Sequence, residues 1–384
     1  MKVLLAHVPY GHRGGEDVHV DVLARAYREL GADTVVFPED RRPPEKLLGA
    51  SVCSLLPGGG DAVGLEALWN RERPDFIHLH NAFPLLGPRF FRWVLDQKVP
   101  LLMTVHNHRF FCTNGLALRD GRVCKDCFAS RMPWRPIAYN CNGDFTKSTY
   151  HALALREMHA GDLYRRAVRR FVAPSPYIKE EIVRWGADPA RVTYLLNPVE
   201  LGDERELDPV GPAVDVFYAG RLSHEKGIAQ LLRAVEAAPD LKFAIAGDGP
   251  ERNALDEASA RLSNLYFFPG YSHRQVLGQI LSSKIGVLAS ICNEILPSFV
   301  LECFALGRRC VVPDLESTRA FAGPEWGGRA VDATDLPKFL VAIRETLAAP
   351  EISGREVAVL RERLGFTRFK RELRILLDDF AENK

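Results

Sequence analysis

Short apolar runs alternate with amphipathic stretches along almost the whole chain. Residues 3–6 form a strand-length apolar run, and residues 16–30 set Val18, Val22, Leu23, Ala26, Tyr27 and Leu30 on one helical face. Gly31 stops that helix and 34–37 give a second strand. Further strand-length runs lie at 76–79, 101–105, 170–173 and 192–196. Helical periodicity covers 150–168 and the stretch that follows Ser175 through Trp185, with Ser175 as its N-cap.

From 201 to 213 the sequence turns polar and proline-rich, the signature of a linker. A second series then begins: strands at 215–218, 241–246, 265–268 and 285–289, a helix at 228–237 with Ile228, Leu231, Leu232 and Val235 inward, and terminal helices at 334–348 and 355–379. Two β-α series of similar size joined by one linker predict an α/β protein with two Rossmann-like domains facing across a cleft. The expected division is 1–200, 201–360, and a terminal helical segment, 361–384, that crosses back to the first domain. A chain of 384 residues is long enough for two cores of this size.

Within the second series, 289–313 reads strand, loop, helix, glycine stop, strand, which is one βαβ unit. It carries Glu294 in the loop and Glu302, which the pattern sets in the first turn of the helix. A helix start offers unpaired N–H groups and the positive end of a dipole, so it suits an anion. Carboxylates beside it make sense if the ligand also presents hydroxyls, as a sugar nucleotide does.

Bulk properties narrow the class. A formal net charge of +1 excludes the basic excess of a dedicated nucleic-acid binder. No apolar run spans a bilayer, and the apolar stretch after Lys2 is too short for a signal peptide, so a cytoplasmic location is expected. The eight cysteines then read as thiols or metal ligands before disulfides. Cys112, Cys124, Cys127 and Cys141 form C-x11-C-x2-C-x13-C in a segment, 112–141, with little periodicity. Structural zinc, disulfide pairing and free thiols all remain open for it. Cys53, Cys292, Cys303 and Cys310 read as buried apolar fillers.

The loop at 9–15 holds Gly11, Gly14 and Gly15 at a strand's carboxyl end. The spacing is not that of a dinucleotide fingerprint, although Glu39 follows the second strand. A plain turn and a loop that admits a ligand to the backbone are the other readings. Residues 41–64 read as a mobile connection. Two strands end in His-Asn, at His80-Asn81 and His106-Asn107, which marks one sheet edge as a candidate site. Arg165, Arg166, Arg169 and Arg170 read first as a solvated helix terminus and second as a membrane-surface patch, which keeps peripheral contact with the inner face of a membrane open.

The second half contains G-R-L-S-x-E-K-G at Gly220 to Gly227, G-D-G-P at Gly247 to Pro250, F-x-G-Y at Phe268 to Tyr271, and E-x7-E at Glu294 to Glu302, in that order. The first half adds P-D-x-I-H-x-H ending at His80, T-V-H ending at His106, A-P-S at Ala173 and N-P-V at Asn197. Together these motifs resemble the retaining glycosyltransferases of family 4, with the GT-B fold, over almost the whole chain. The resemblance implies that Glu302 holds the nucleotide ribose and that Glu294 contacts the transferred sugar. It implies that the amides of Ser298, Phe299 and Val300 meet the diphosphate and that Arg221 and Lys226 neutralise it as it leaves. His106 would sit near the anomeric carbon, with Gly14 and Gly15 near the diphosphate and sugar and Glu16 beside them. Gly220, Gly247, Gly249 and Tyr271 would complete the donor site.

The implied reaction is retaining transfer from a nucleotide-diphosphate sugar, UDP-linked, to an acceptor hydroxyl, with no metal or other cofactor in the chemical step. No D-x-D pair suited to a diphosphate-bound metal is present. Ile295-Leu296-Pro297 departs from the Glu-Gly-Phe-Gly or Glu-Asn-Phe-Pro of many relatives, which leaves the donor sugar undetermined. The cysteine insert, on the acceptor side, matches a subset of the family that builds surface polysaccharides or glycosylated metabolites. The acceptor is left as a saccharide, a lipid-linked saccharide or a natural product. A nucleotide-sugar epimerase or phosphorylase-like enzyme, or a non-catalytic nucleotide-sugar-binding protein, is the alternative on the same architecture.

Overall fold

The computed structural model describes residues 1–8, 14–38, 64–82, 85–129, 134–202, 207–323 and 325–382. Gly11, Glu39, Cys53, nearly all of the 41–64 connection, and parts of the insert and linker lie outside the described residues. The chain divides into two compact units: Met1–Ala117, Cys124–Asn197 and Lys370–Lys384 form one, and Leu118–Val123 and Pro198–Phe369 the other.

The first unit is built on six parallel strands: β1 (Lys2–Ala6), β2 (Asp33–Phe37), β3 (Phe76–Leu79), β4 (Leu101–Thr104), β7 (Arg170–Ala173) and β8 (Val192–Tyr194). Their order is β2-β1-β3-β4-β7-β8. The remaining pair, β5 (Leu118–Arg119) and β6 (Arg122–Val123), is a short antiparallel hairpin in the insert. Val3, Leu4, Leu5 and Ala6 are fully buried, as a strand covered on both faces requires. The helix Gly15–Glu29 packs His19, Val22, Leu23, Ala26 and Tyr27 inward. Val18, expected on that face, is 44% exposed, and His19 points inward in its place.

The second unit has its own six-stranded parallel sheet: β9 (Val214–Ala219), β10 (Phe243–Ala246), β11 (Leu265–Phe268), β12 (Ser283–Val287), β13 (Arg309–Pro313) and β14 (Gly328–Val331). The order is β11-β10-β9-β12-β13-β14. Cys303 and Cys310 are buried in its core, and Cys292 is buried with Leu118 and Ile291, as fillers should be.

Two expected helices are broken. The 150–168 helix is Phe145–Ala160 followed by Leu163–Ala167, because Gly161 ends the first and Asp162 takes a left-handed φ of 50°. Asp144 caps it by accepting from the Lys147 amide at 2.8 Å. The terminal 355–379 helix is Gly354–Leu364 followed by Phe366–Glu382. Gly365 turns the chain between them, and a Cβ there would meet the Arg361 carbonyl at 2.8 Å. The last helix returns to the first unit: Phe380 packs on Phe76, Lys370 bonds Glu29, and Asp379 pairs with Arg170. The four clustered arginines serve the protein itself. Arg165 and Arg166 bond Asp162 and the Gly161 carbonyl, and Arg169 lies over the Phe380 ring. No described helix is long and apolar enough to cross a membrane.

Candidate functional site

In each sheet the strand order changes direction once, and loops that leave the carboxyl ends there open a crevice. In the second unit that point lies between β9 and β12. The loop after β9 carries Lys226 and the loop after β12 carries Glu294, and the two meet. Lys226 Nζ donates to both Glu294 oxygens at 2.7 Å. Ser290 Oγ donates to the same carboxylate at 2.5 Å, and Ser317 Oγ accepts from the Glu294 amide at 2.9 Å. Burial pulls the Lys226 ammonium down, but Glu294 outweighs it, and Lys226 stands above the ordinary lysine range. It is a fixed cation. Arg221, on the same loop, is exposed.

The glycines of this unit have packing reasons of their own. Gly227 has φ +73°, and a Cβ there would fall 1.9 Å from the Ala289 carbonyl oxygen. The loops after β9 and β10 are zipped together: the Gly220 and Leu222 amides donate to Ala246 and Asp248 at 3.0 and 2.9 Å. A Cβ on Gly247 or Gly249 would strike Gly220 or Leu222 backbone oxygens. Tyr271 stacks on Phe268 with centroids 4.5 Å apart.

The helix Ser298–Ala305 starts beside Glu294 with no side-chain cap. Its Ser298 and Val300 amides already donate to Leu296 and Pro297 carbonyls at 3.0 Å. Among the described residues, the Phe299 amide has no backbone acceptor. Glu302 lies in the second turn, one turn later than the pattern suggested. Its Oε1 is bonded to His273 Nε2 at 2.9 Å, and that bond raises the His273 pKa above its ordinary value.

In the first unit the order reverses between β1 and β3. Neighbouring strands β3 and β4 bring the two His-Asn pairs side by side. His80 Nδ1 and His106 Nε2 are 2.9 Å apart, with the rings stacked at 5.2 Å. His19 lies edge-on to His106 at 5.0 Å. Below them His78 bonds Tyr27 and Thr104, both at 2.8 Å. His7 bonds Asp17, whose other oxygen accepts from the Gly14 amide at 2.7 Å and holds the glycine loop. Burial drives four of these rings toward the neutral form: His19 and His78 to about 3, and His80 and His106 well below the ordinary value. Asn107 donates to Glu16 at 3.2 Å and to Asn81 at 3.4 Å. Burial raises the Glu16 carboxyl to about 7 against the opposing Asn107 bond and Arg109 charge, and its Oε2 has no hydrogen-bond partner.

His19, His80 and His106 could offer nitrogens within 4.8 Å of one another to a metal. Two nitrogens on one tetrahedral zinc, each at about 2.0–2.1 Å, would lie about 3.3 Å apart. The 2.9 Å separation of His80 Nδ1 and His106 Nε2 is that of a hydrogen bond, and His19 stands edge-on to both rings.

The insert gathers three of its four cysteines. Cys112 and Cys127 share a hydrogen bond, which chiefly draws the Cys112 thiol down to about 6, with help from the amides of Asn114, Gly115 and Ala117. Cys127 is held above the ordinary thiol range by that bond, by burial and by Cys141. Cys124 stands at the foot of the hairpin, its amide donating to Ala117 at 2.7 Å. None of the four is in a disulfide. A cavity of about 480 Å³ lies elsewhere, at the amino ends of β9, β12 and β13, lined by Asp215, Lys242, Lys284 and Arg309. It is remote from the strand ends that carry the motifs.

The profile of the Glycosyltransferase Family 4 domain matches residues 13–203, and that of the Glycosyl transferases group 1 domain matches residues 213–349. The chain belongs to glycosyltransferase family 4. Among curated relatives, this family-4 chain is 26% identical over 233 residues to the 2-deoxystreptamine N-acetyl-D-glucosaminyltransferase of Niallia circulans, covering 57% of this chain and 54% of that protein. It is 29% identical over 147 residues to the alpha-D-kanosaminyltransferase of Streptomyces kanamyceticus, covering 36% and 38%. The chain thus spans about half or less of the length of these relatives. Among solved structures, Anabaena HepE in complex with UDP-glucose aligns at a TM-score of 0.68 and 15% identity over 99% of this chain and all of that one. Sucrose-phosphate synthase from Thermosynechococcus elongatus aligns at 0.71 and 14% over the whole of both. These likenesses establish the two-domain GT-B fold for this family-4 chain.

His19, His78, Asp17, Ser290, Ser317 and His273 are parts of these networks that the motifs did not name as site residues. His78 was legible inside the H-x-H run. The others depend on helix rotation or on contacts between distant loops, which spacing does not encode.

Proposed function

We propose that this chain is a retaining glycosyltransferase that moves a sugar from a nucleotide-diphosphate donor, UDP-linked, to an acceptor hydroxyl, with no metal in the chemical step. The observation that carries this is the Lys226–Glu294 pair at the switch point of the second sheet, beside the start of Ser298–Ala305. Breaking the glycosidic bond puts negative charge on the departing diphosphate. Lys226, the exposed Arg221 and the free Phe299 amide are the groups assigned to that charge. Lys226 would leave Glu294 for the phosphate, which releases Glu294 to bind a sugar hydroxyl. Glu302 would exchange His273 for the ribose hydroxyls. Acceptor attack on the face the diphosphate leaves, with the phosphate taking the acceptor proton, retains the configuration. His106 is the first-unit residue assigned to the neighbourhood of the anomeric carbon.

For the acceptor we propose a polyhydroxylated ring of the kind the 2-deoxystreptamine transferase acts on by its name. For the cysteines we propose structural zinc. A lowered Cys112 thiol ringed by backbone amides suits a metal thiolate and its outer hydrogen bonds. A thermal-shift panel of nucleotides and nucleotide sugars tests the donor class, because a tight ligand raises stability by mass action. Anomeric analysis of the product tests retention. Donor consumption without a glycosylated acceptor would point instead to an epimerase, and binding without turnover to a non-catalytic binder.

A further inference from the structure

We infer that Leu118, at the start of the insert's hairpin, is a positioning residue for Glu294 and so governs how well the second unit holds the sugar of its donor. This rests on the reading that Glu294 binds a hydroxyl of that sugar. Leu118–Val123 belongs to the second unit, whereas Ala117 before it and Cys124 after it belong to the first. Those six residues form a tight hairpin. Leu118 pairs with Val123 and Arg119 with Arg122, so Asp120 and Gly121 alone make the turn. Both have left-handed φ, 51° and 72°, the two-residue turn that matches the twist of paired strands. The Cys124 amide closes the foot of the hairpin on the Ala117 carbonyl at 2.7 Å. Asp120 to Val123 are exposed. Leu118 is the side chain that the hairpin buries. It is 9% exposed and forms a small apolar cluster with Ile291 and Cys292, which are 8% and 4% exposed.

Ile291 and Cys292 lie in the loop after β12, between Ser290 and Glu294, whose side chains bond each other. Polar contacts clamp this stretch to two neighbouring loops. The Ile291 amide donates to the Glu225 carbonyl at 3.0 Å, next to Lys226. Asn293 Oδ1 accepts from the Ser317 amide at 3.2 Å, and Ser317 Oγ accepts from the Glu294 amide at 2.9 Å. Leu118 adds the apolar contact at the middle of the stretch. Truncating it leaves a gap under Ile291 and Cys292 that the loop can fill only by shifting. A small shift of Glu294 weakens a hydrogen bond to a sugar hydroxyl steeply, because such bonds depend on distance and angle. The groups assigned to the ribose and the diphosphate stand elsewhere: Glu302 in the second turn of Ser298–Ala305, Arg221 and Lys226 in the loop after β9. The effect should therefore fall on the sugar before the nucleotide.

The test compares the wild type, Leu118→Ala and Leu118→Met in the full chain. UDP, UDP-glucose and UDP-N-acetylglucosamine are titrated by calorimetry, and amide hydrogen exchange is followed at Ile291 and Glu294 without ligand. In Leu118→Ala, UDP should bind with unchanged affinity, while the sugar nucleotide that the wild type binds more tightly should weaken about tenfold. The Ile291 and Glu294 amides should exchange faster there than in the wild type. Methionine keeps the volume of leucine, so Leu118→Met should match the wild type in both measurements. Should Leu118→Ala fail to fold, Leu118→Val is read in the same way, with a smaller loss. Equal sugar-nucleotide affinities in the wild type and the truncated variant overturn the inference, as does unaltered exchange at Ile291 and Glu294. Equal losses for UDP and the sugar nucleotide assign Leu118 to stability alone and overturn it too. A wild type that binds none of the three compounds refutes the donor reading itself, an outcome distinct from a wild type that binds and a variant that matches it.

Discussion

Glu16→Gln is the substitution whose effect can be worked furthest. Glu16 sits in the first turn of the helix that follows the glycine loop, with Oε1 accepting from Asn107 and Oε2 buried without a partner. Burial raises its pKa from 4.5 to about 7. The sign follows from linkage. The folded state holds its proton more tightly than the unfolded state, so ionisation costs folding stability. The cost is absent below about pH 4.5, grows as pH rises toward 7 and is complete above it. A shift of about 2.5 pKa units corresponds to roughly 3 kcal/mol at full development. Between pH 5 and 8 the change is about 2.5 kcal/mol, because part of the cost is already present at pH 5. Glutamine has the shape of the protonated carboxyl and cannot ionise. The variant should therefore gain on the wild type by about 2 kcal/mol or more from pH 5 to 8, or roughly 5–10 °C in the midpoint of first-unit unfolding. Thermal unfolding of both proteins at unit steps of pH measures this. A stability difference that does not change with pH would refute the burial argument for Glu16. A difference that shrinks with rising pH would mean that Asn107 and Arg109 outweigh burial.

The other predictions concern the second unit and the insert. Lys226→Ala should lower kcat more than donor affinity, since its charge is needed most as the diphosphate departs; equal losses in both would contradict that role. It should also cost roughly 1–3 kcal/mol of stability, because the Glu294 carboxylate is 11% exposed and, among the described residues, keeps only the Ser290 hydroxyl, as denaturant titration would reveal. Gly227→Ala should destabilise the second unit by more than the 1 kcal/mol typical of strained backbone, given the 1.9 Å approach of Ala289, and a wild-type midpoint would be inconsistent with that packing. Protein prepared without added metal should carry about one zinc per chain, lost with Cys112→Ser; no zinc and four titratable thiols in the insert would remove the site.

Much of the fold was legible because it is written in local signals. Buried parallel strands appear as unbroken apolar runs, and their termini fall at glycines and at caps such as Ser175, whose hydroxyl accepts from the Ile178 amide. The expected helices failed at Asp162 and Gly365, where a single left-handed or glycine residue interrupts a periodicity that continues on either side. Helix rotation was the weaker inference: Val18 and His19 are adjacent, and only packing decides which faces inward. For the candidate site, the order of motifs singled out Glu294, Lys226 and Glu302 as candidates. It did not reveal that Lys226 and Glu294 hold each other, or that His273 occupies Glu302, because those contacts join loops far apart in sequence. The same limit hid the histidine stack, in which five rings from one helix and three strand ends become neighbours only in the folded sheet.

The central claim is that the crevice holding Lys226, Glu294 and Glu302 binds a nucleotide-diphosphate sugar. Calorimetric titration of UDP and UDP-glucose into the wild type and into Glu302→Ala addresses it directly. The account predicts saturable binding to the wild type and a loss in the variant of roughly 1.5–3 kcal/mol, about 10- to 150-fold in Kd, with the fold intact. Equal affinity in the two proteins would contradict the assignment of Glu302, and absence of binding to the wild type by any nucleotide or nucleotide sugar would contradict the function.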